Sequence, residues 1–306
     1  MKEELLGGNH MRFFTEYQKI NWESKNVRLS TGVTYAFTEC GPKGAIPILF
    51  LHGGTDSRVS WSQVAPLMAE KGYHCFVPEY RGSGLSDKPE SDEQGYTVEL
   101  LTQDVIAFMD AVGLESAHIV GHSLGSLIAQ VLNVRIPERV LSSTLIATSA
   151  SVNDENEVLA WILNGDGTED GFQGLKNIPD QTEMPETFVR EWAGSTNEDP
   201  NFLNATLAHA LQIPVHCWKS IFNGASHFNN VQGIKKMKGP VLVFWGTEDA
   251  LFPKPVQDQL KSLLKESTAH VTYVDVEGGS HNLHWDSTAT ATFVSERIDY
   301  FMTEHS

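Results

Sequence analysis

The sequence has no apolar run close to the roughly 20 residues that a membrane-spanning helix requires, and it has only three cysteines. Cys40, Cys75 and Cys217 are scattered, and no two of them have the spacing of a metal site. An odd number of isolated cysteines is typical of free thiols in a reducing compartment. Residues 1–10 also lack the apolar core of a secretory signal. We therefore expect a cytoplasmic protein without a metal site and without a membrane partner.

Basic residues are scarce relative to acidic ones. Lysine and arginine total 22 against 39 aspartates and glutamates, which gives a formal net charge of −17. Nucleic acids and anionic membranes are recognised through basic surfaces, so the sequence predicts neither as a partner. Apolar residues make up 41% of the chain and charged residues 20%, the composition of an ordinary globular protein. We expect a small molecule as the partner, and a homodimer is left open.

The order of the predicted elements indicates the fold class. Residues 26–40 alternate as an antiparallel strand pair, and residues 46–51 form the nearly continuous apolar run of a strand buried on both faces. Further strands alternate with helices along the chain, and a long segment without this alternation interrupts the pattern. This pattern predicts an α/β fold, with a mainly parallel sheet that carries helices on both of its faces.

The interruption sets the predicted domain boundaries. We expect an N-terminal extension at residues 1–25, a core formed by residues 26–150 and 231–306, and a mostly helical insertion, or cap, at residues 151–230. The insertion is rich in aromatic residues, among them Trp161, Trp192 and Trp218. These three are candidates for the walls of a substrate pocket, although most aromatic side chains of the segment also fit a packing core of the insertion itself.

The segment Gly121-His122-Ser123-Leu124-Gly125 is the most informative part of the chain. An apolar strand leads into it, and a helix with apolar residues at helical spacing follows at once. A strand that passes into a helix without a loop forces a sharp turn, which exposes the Ser123 hydroxyl beside the N-terminus of the helix. This is the Gly-x-Ser-x-Gly pattern of a nucleophile elbow, and strand, turn and helix are the context that it requires.

A serine hydroxyl becomes a good nucleophile only when a neighbouring base accepts its proton. Open α/β sheets place their sites at the carboxyl ends of strands, and two later strands lead to Asp249 and His281. We predict that Ser123 is the nucleophile, that His281 is the general base, and that Asp249 orients the histidine. The alternatives are Glu248 or Asp275 as the acid and His284 as the base, although His284 fits a pocket wall better.

Stabilisation of a negative oxygen requires two N–H groups aimed at it. One is expected from the backbone of Leu124 and the other from Gly54, where the absence of a side chain lets the backbone approach a substrate. His52 and Gly53 precede Gly54 and are pocket candidates, with His52 as an organiser of this loop. His122 is expected to be structural or to line the pocket.

Taken together, these motifs identify the chain as similar to the α/β-hydrolase superfamily from about residue 26 onward. The resemblance rests on His52-Gly53-Gly54, Tyr80-Arg81-Gly82-Ser83-Gly84-Leu85-Ser86, Gly121-His122-Ser123-Leu124-Gly125, Gly246-Thr247-Glu248-Asp249 and Gly279-Ser280-His281. It implies an eight-stranded, mostly parallel core, a cap over Ser123, and catalysis without a metal or an organic cofactor.

The layout resembles esterases, lactonases, carbon–carbon bond hydrolases and cofactor-free haloperoxidases. Relatives that open epoxides carry an aspartate where this chain has Ser123, and Glu79 stands where relatives usually have an aspartate. The leading hypothesis is a serine hydrolase that cleaves a small apolar or aromatic ester or lactone through an acyl-enzyme. Carbon–carbon bond hydrolysis or perhydrolysis by the same three residues is an alternative, and a ligand-binding receptor with little turnover is a hypothesis of another class.

Overall fold

The computed structural model of the protein describes residues 23–152, 156–168, 171–193, 197 and 199–305. The N-terminal extension expected at residues 1–25 therefore falls outside the described residues, apart from its last three positions. Within the described part of the chain, no helix is both long and apolar enough to cross a membrane.

Eight strands of the described chain form one sheet. They are β1 (Lys25–Arg28), β2 (Thr34–Cys40), β3 (Pro47–Leu51), β4 (His74–Pro78), β5 (Ala117–His122), β6 (Val140–Ile146), β7 (Pro240–Gly246) and β8 (His270–Val276). Their order across the sheet is β1-β2-β4-β3-β5-β6-β7-β8. β2 pairs antiparallel with β1 and with β4, and all other neighbours are parallel. The predicted α/β class with a mostly parallel sheet is confirmed.

The central strands are buried on both faces, which explains their continuous apolar runs. In β3, Ile48 and Phe50 belong to the core on one face of the sheet, and Leu49 and Leu51 belong to the core on the other. Successive side chains of a strand point to opposite faces, so all four of these residues are fully buried.

Helices cover both faces. They are α1 (Ala65–Glu70), α2 (Val98–Ala111), α3 (Leu124–Arg135), α4 (Glu157–Asn164), α5 (Glu186–Trp192), α6 (Pro200–Leu211), α7 (Val215–Ser226), α8 (Val231–Ile234), α9 (Lys254–Leu264) and α10 (Thr288–Glu304). Met68 of α1 and Ile298 of α10 pack into one core, whereas Leu101 of α2, Ile128 of α3 and Leu260 of α9 pack into the other. The sheet is therefore the middle layer of three.

The helices α4 to α8 lie between β6 and β7 in the chain, so they interrupt the alternation of strands and helices. Their aromatic side chains pack on one another. The rings of Phe172 and Phe188 stack with their centres 3.9 Å apart. The ring centre of Phe188 also lies 5.5 Å from that of Trp161 and 5.7 Å from that of Trp218. This segment has apolar packing of its own, which holds its helices in place above the sheet edge where the candidate site lies.

Candidate active site

Ser123 occupies the turn between β5 and α3. Its backbone has φ 49° and ψ −119°, a conformation that costs a non-glycine residue about 1–3 kcal/mol. The flanking glycines make the turn sterically feasible. A Cβ atom on Gly121 would lie 2.2 Å from the carbonyl oxygen of Gly125, and one on Gly125 would lie 2.1 Å from the carbonyl oxygen of Leu51. The chain thus accepts local strain in order to hold the Ser123 hydroxyl at the N-terminal end of α3.

His281 lies within hydrogen-bond distance of both Ser123 and Asp249, the other two residues predicted as catalytic. Ser123 Oγ is 2.9 Å from Nε2 of His281, and Nδ1 of His281 is 2.9 Å and 3.0 Å from the two carboxylate oxygens of Asp249. Asp249 follows β7 and His281 follows β8, and these strands are parallel neighbours, so their carboxyl ends meet at one edge of the sheet. A carboxylate accepts hydrogen bonds, so Nδ1 carries the proton and Nε2 is free to accept the serine proton.

Asp249 is held in its charged form. Its side chain is buried, which raises the pKa, but the His281 ring and the N–H groups of Leu251 and Phe252 outweigh burial and leave the pKa below its usual value. Both N–H groups donate to Oδ1 at 2.9 Å. The carboxylate therefore remains negative beside His281, where it can stabilise a positive imidazolium.

Of the alternative acids, Glu248 lines the cavity, but Asp249 is the carboxylate that lies within hydrogen-bond distance of His281. The other alternative acid and the alternative base lie away from the cavity. Asp275 points to the surface, where its oxygens accept hydrogen bonds from Lys261 at 3.1 Å. His284 is fully buried behind the site, with its ring 4.3 Å from the ring of His122 and 4.5 Å from that of Trp61. Burial, together with His122 and His281, places the pKa of His284 well below its usual value, so its ring is neutral.

Gly54 and Leu124 lie side by side next to Ser123. A Cβ atom on Gly54 would be 4.0 Å from the Cβ atom of Leu124 and 3.2 Å from a methyl group of Ile221 in α7. Leu124 is the first residue of α3, so its N–H has no acceptor within the helix and points out of the N-terminus. Gly54 and Leu124 are thus close enough together for the predicted oxyanion hole, which stays a prediction.

His52 organises this loop from behind. Its Nδ1 donates to the carbonyl oxygen of Gly53 at 2.7 Å, and its Nε2 accepts from the backbone N–H of Tyr80 at 3.3 Å. Burial lowers the pKa of His52, so the ring is neutral and one nitrogen can donate while the other accepts. His52 thereby connects the loop after β3 to the loop after β4.

A cavity of about 270 Å³ opens above Ser123. The insertion supplies part of its wall through Val158, Trp192 and Ala193. The remaining lining residues come from the loops after the strands and from the elbow: Gly53, Gly54, Asp56, His122, Ser123, Glu248, Ala250, Leu251, Ser280, His281, Asn282 and Trp285. The size suits a small molecule.

The structure corrects four of the pocket candidates. Gly53, His122 and Trp192 line the cavity, but His52, Trp161, Trp218 and His284 do not. His52 is fully buried under the loop that it organises, and His284 lies behind His122. Trp161 and Trp218 pack against Phe188 inside the insertion, where the large apolar rings bury one another.

Sequence reasoning also missed several lining residues. Asp56 follows the Gly54 loop by two positions, and Trp285 follows His281 by four. Both residues closely follow a predicted site motif in a loop at the carboxyl end of a strand. Such loops carry the site in this type of fold, so their position could have marked both residues as lining candidates. In the described part of the chain, no group of three or more His, Cys, Asp or Glu side chains is arranged to hold a metal ion.

Comparison with known proteins finds relatives over most of the chain. A family model described as alpha/beta hydrolase fold matches residues 46–288. Epoxide hydrolase A of Mycobacterium tuberculosis is 32% identical over 121 residues, which are 40% of this chain and 37% of that protein. Epoxide hydrolase 1 of Caenorhabditis elegans is 27% identical over an alignment of 307 positions that covers 93% of this chain and 71% of that protein. The enol-lactonase from Burkholderia xenovorans LB400 has a similar structure, with a TM-score of 0.70 and 19% identity over 91% of this chain and 100% of that chain.

Proposed function

The chain belongs to the α/β-hydrolase family, and we propose that it is a serine hydrolase that cleaves a small carboxylic ester or lactone through an acyl-enzyme on Ser123. The observation that carries this proposal is the continuous hydrogen-bonded chain from Ser123 Oγ through the His281 ring to the Asp249 carboxylate. In this order the aspartate orients the base, and the base activates the nucleophile.

In the acylation step, Ser123 Oγ attacks the carbonyl carbon while Nε2 of His281 accepts the hydroxyl proton. The carbonyl oxygen becomes negative and accepts hydrogen bonds from the N–H groups of Gly54 and Leu124. One such donor typically contributes about 10²–10³-fold to kcat. His281 then returns the proton to the leaving alkoxide, the carbon–oxygen bond breaks, and the acyl group remains on Ser123.

Deacylation uses the same groups with water as the nucleophile. His281 accepts a proton from water, the resulting hydroxide attacks the acyl carbon, and the proton passes back to Ser123 Oγ as the acid leaves. In a lactone the alkoxide and the acid belong to one molecule, so a single hydroxy acid is the product. The indole rings of Trp192 and Trp285 supply apolar walls for an apolar or aromatic part of the substrate.

Two of the relatives are named epoxide hydrolases, and the chemistry of Ser123 argues against carrying that activity over. Attack of a serine oxygen on an epoxide carbon produces an ether, which water does not cleave under these conditions. A carboxylate nucleophile instead produces an ester, which water can hydrolyse. A serine at this position therefore supports repeated turnover of esters, whereas an epoxide would leave the enzyme permanently alkylated after one event.

We also propose that the segment at residues 151–230 acts as a cap. Val158, Trp192 and Ala193 of this segment contribute to the cavity wall above Ser123. Trp192 is held in place by a 2.9 Å hydrogen bond from its indole nitrogen to Thr55 Oγ1, next to Gly54. A wall built in this way restricts the length of the substrate and reduces the access of water to the reacting carbonyl.

The proposal is tested with 4-nitrophenyl esters of increasing acyl length. Wild type should release nitrophenol repeatedly, and a fluorophosphonate should label Ser123 as identified by peptide mass. Ser123→Ala should lose all but a trace of turnover and all labelling, while Ser267→Ala, a serine remote from the cavity, should match wild type. Equal activity of wild type and Ser123→Ala would exclude Ser123 as the nucleophile. One slow turnover with retained product would favour a receptor.

A further inference from the structure

The charged groups that line the cavity all have the same sign. Among the described lining residues there are two carboxylates, Asp56 and Glu248, and no lysine or arginine. Asp249 adds a third negative charge directly behind His281. A cavity of one sign raises the local concentration of oppositely charged ligands and disfavours ligands of its own sign. The negative charge of the cavity therefore disfavours a substrate with an anionic group.

His122 adds a hydrogen-bond acceptor beside Asp56. Its Nε2 lies 3.0 Å from the carbonyl oxygen of His281, and a carbonyl can only accept, so Nε2 carries the proton. Burial lowers the pKa of His122 despite the opposing effect of Asp56, so the ring is neutral. The other nitrogen, Nδ1, is therefore an acceptor, and it has no hydrogen-bond partner among the described residues. It lies 3.8 Å from Oδ2 of Asp56.

These two acceptors therefore lie close together and belong to residues that line the cavity. A buried nitrogen lone pair beside a carboxylate oxygen is complementary to a group that donates hydrogen bonds and carries positive charge. His122 is only 1% exposed, so little of its ring is available to bulk solvent. Trp192 and Trp285 also line the cavity, and indole rings attract cations through their quadrupoles.

We propose that Asp56, His122 and the two indole rings form a subsite for a protonated amine of the substrate, placed next to the carbonyl that Ser123 attacks. This inference rests on the proposed function, because it names the class of ester or lactone: one that bears an ammonium group close to the scissile bond. Asp56 supplies the opposite charge, and Nδ1 of His122 accepts one of the ammonium hydrogens.

A purely structural role for the Asp56 carboxylate is the competing explanation. It would place Asp56 as a partner that fixes the His122 ring and the Gly53 loop. In that case removal of the charge would change the hydrolysis of charged and neutral esters by the same factor. A substrate subsite instead changes the ratio between the two, so the ratio separates the explanations.

The kinetic test uses thioacetates that differ only in the group on the thiol side. S-(2-dimethylaminoethyl) thioacetate is the cation, S-(3-methylbutyl) thioacetate is its neutral analogue, and S-(2-carboxyethyl) thioacetate is the anion. A second series places an aminomethyl, methyl or carboxyl group on the acyl side of 4-nitrophenyl benzoate. In at least one series, wild type should prefer the cation to the neutral ester by about tenfold or more in kcat/KM, which corresponds to about 1.4 kcal/mol.

The variant Asp56→Asn should reduce this preference about tenfold, to near parity. The matched control is Glu70→Gln, which removes one negative charge from the exposed end of α1 and should leave the preference unchanged. Absence of a preference for the cation in both series overturns the proposal. So does a preference that survives in Asp56→Asn.

A binding measurement keeps the subsite testable without turnover. Propylammonium, propionate and 1-propanol are titrated into the protein while the seven tryptophan indole N–H signals are followed by NMR. Propylammonium alone should shift the Trp192 signal, assigned with Trp192→Phe, and Asp56→Asn should abolish that shift. If this holds but no ester is cleaved, the proposed function fails and the subsite stands. If esters are cleaved through Ser123 but propylammonium and propionate act alike, the subsite fails and the proposed function stands.

Discussion

Glu79 makes a strong, measurable contribution to stability that follows from its burial. It comes directly after β4 and is fully buried, and its carboxylate lies 2.7 Å from Nη1 of Arg58, which is 2% exposed. It also accepts the N–H groups of Leu85 at 2.7 Å and Arg58 at 3.3 Å, and Nδ1 of His209 in α6 lies 4.0 Å away. One carboxylate thus joins the loop that follows Gly54, the loop after β4, and the insertion.

The variant Glu79→Gln removes the charge and preserves most of the volume. Burial raises the pKa of Glu79, but Arg58, His209 and the Leu85 N–H outweigh it, so the pKa lies below its ordinary value and the group is charged at neutral pH. Removing one partner of a buried ion pair costs about 3–5 kcal/mol, because the other charge remains buried. At about 2–4 °C per kcal/mol for a domain of this size class, the midpoint of thermal unfolding should fall by roughly 10 °C.

Urea denaturation at pH 7 measures the change in the free energy of unfolding. The matched control is Glu186→Gln, which breaks an exposed Glu–Arg pair with Arg190 on α5. That pair lies in solvent, so the control should lose no more than about 0.5 kcal/mol. A loss in Glu79→Gln that is no larger than the loss in the control would refute the reasoning.

The pH dependence of stability provides a second check on the charge state of Glu79. The folded-state pKa of Glu79 is lowered, so its stabilising effect is fully present above the unfolded-state pKa, about 4.3, and is lost as the pH falls through the folded-state value. The stability difference between wild type and Glu79→Gln should therefore be constant from pH 7 to about pH 5.5 and shrink in more acidic solution. If this stability difference instead grew as the pH fell, the conclusion that folded Glu79 has a lowered pKa would be contradicted.

Two further substitutions probe the site. Asp249→Asn should lower kcat on 4-nitrophenyl esters by about 10⁴-fold, because the amide can donate to Nδ1 of His281 and favour the wrong tautomer. A loss below tenfold at unchanged thermal stability would show that Asp249 does not orient His281. His284→Phe should keep or raise the free energy of unfolding by about 1 kcal/mol, since both ring nitrogens of this fully buried side chain are without a hydrogen-bond partner in the described part of the chain. Urea denaturation that shows a loss above about 2 kcal/mol would reveal a polar role for the ring.

Local backbone chemistry made the elbow readable in the sequence. Two glycines flank Ser123 because any side chain at either position would collide with backbone atoms about 2 Å away, and that requirement does not depend on distant residues. The positions of Asp249 and His281 were readable for a related reason. In a parallel sheet the carboxyl ends of neighbouring strands meet at one edge, so the position of a residue within a strand–loop unit indicates where its side chain lies.

Composition could not distinguish among the tryptophans of the insertion. Trp161, Trp192 and Trp218 share the same chemistry, and only Trp192 faces the cavity. Which side of a helix faces a cavity depends on how the helices rotate and pack against one another, and the segment offers several arrangements that bury its rings. The same holds for His122 and His284, whose ring centres lie 4.3 Å apart although the sequence indicates no partner for either ring.

The sequence by itself therefore determined the fold class, the elbow and the three residues predicted as catalytic, because strand periodicity, glycine sterics and strand ends are local or follow from sheet topology. Tertiary structure alone decided which residues form the walls of the cavity and brought Asp56 next to His122. It also decided the burial of Glu79 against Arg58. Those features depend on side chains from distant segments that meet only after the sheet, the loops and the insertion have packed together.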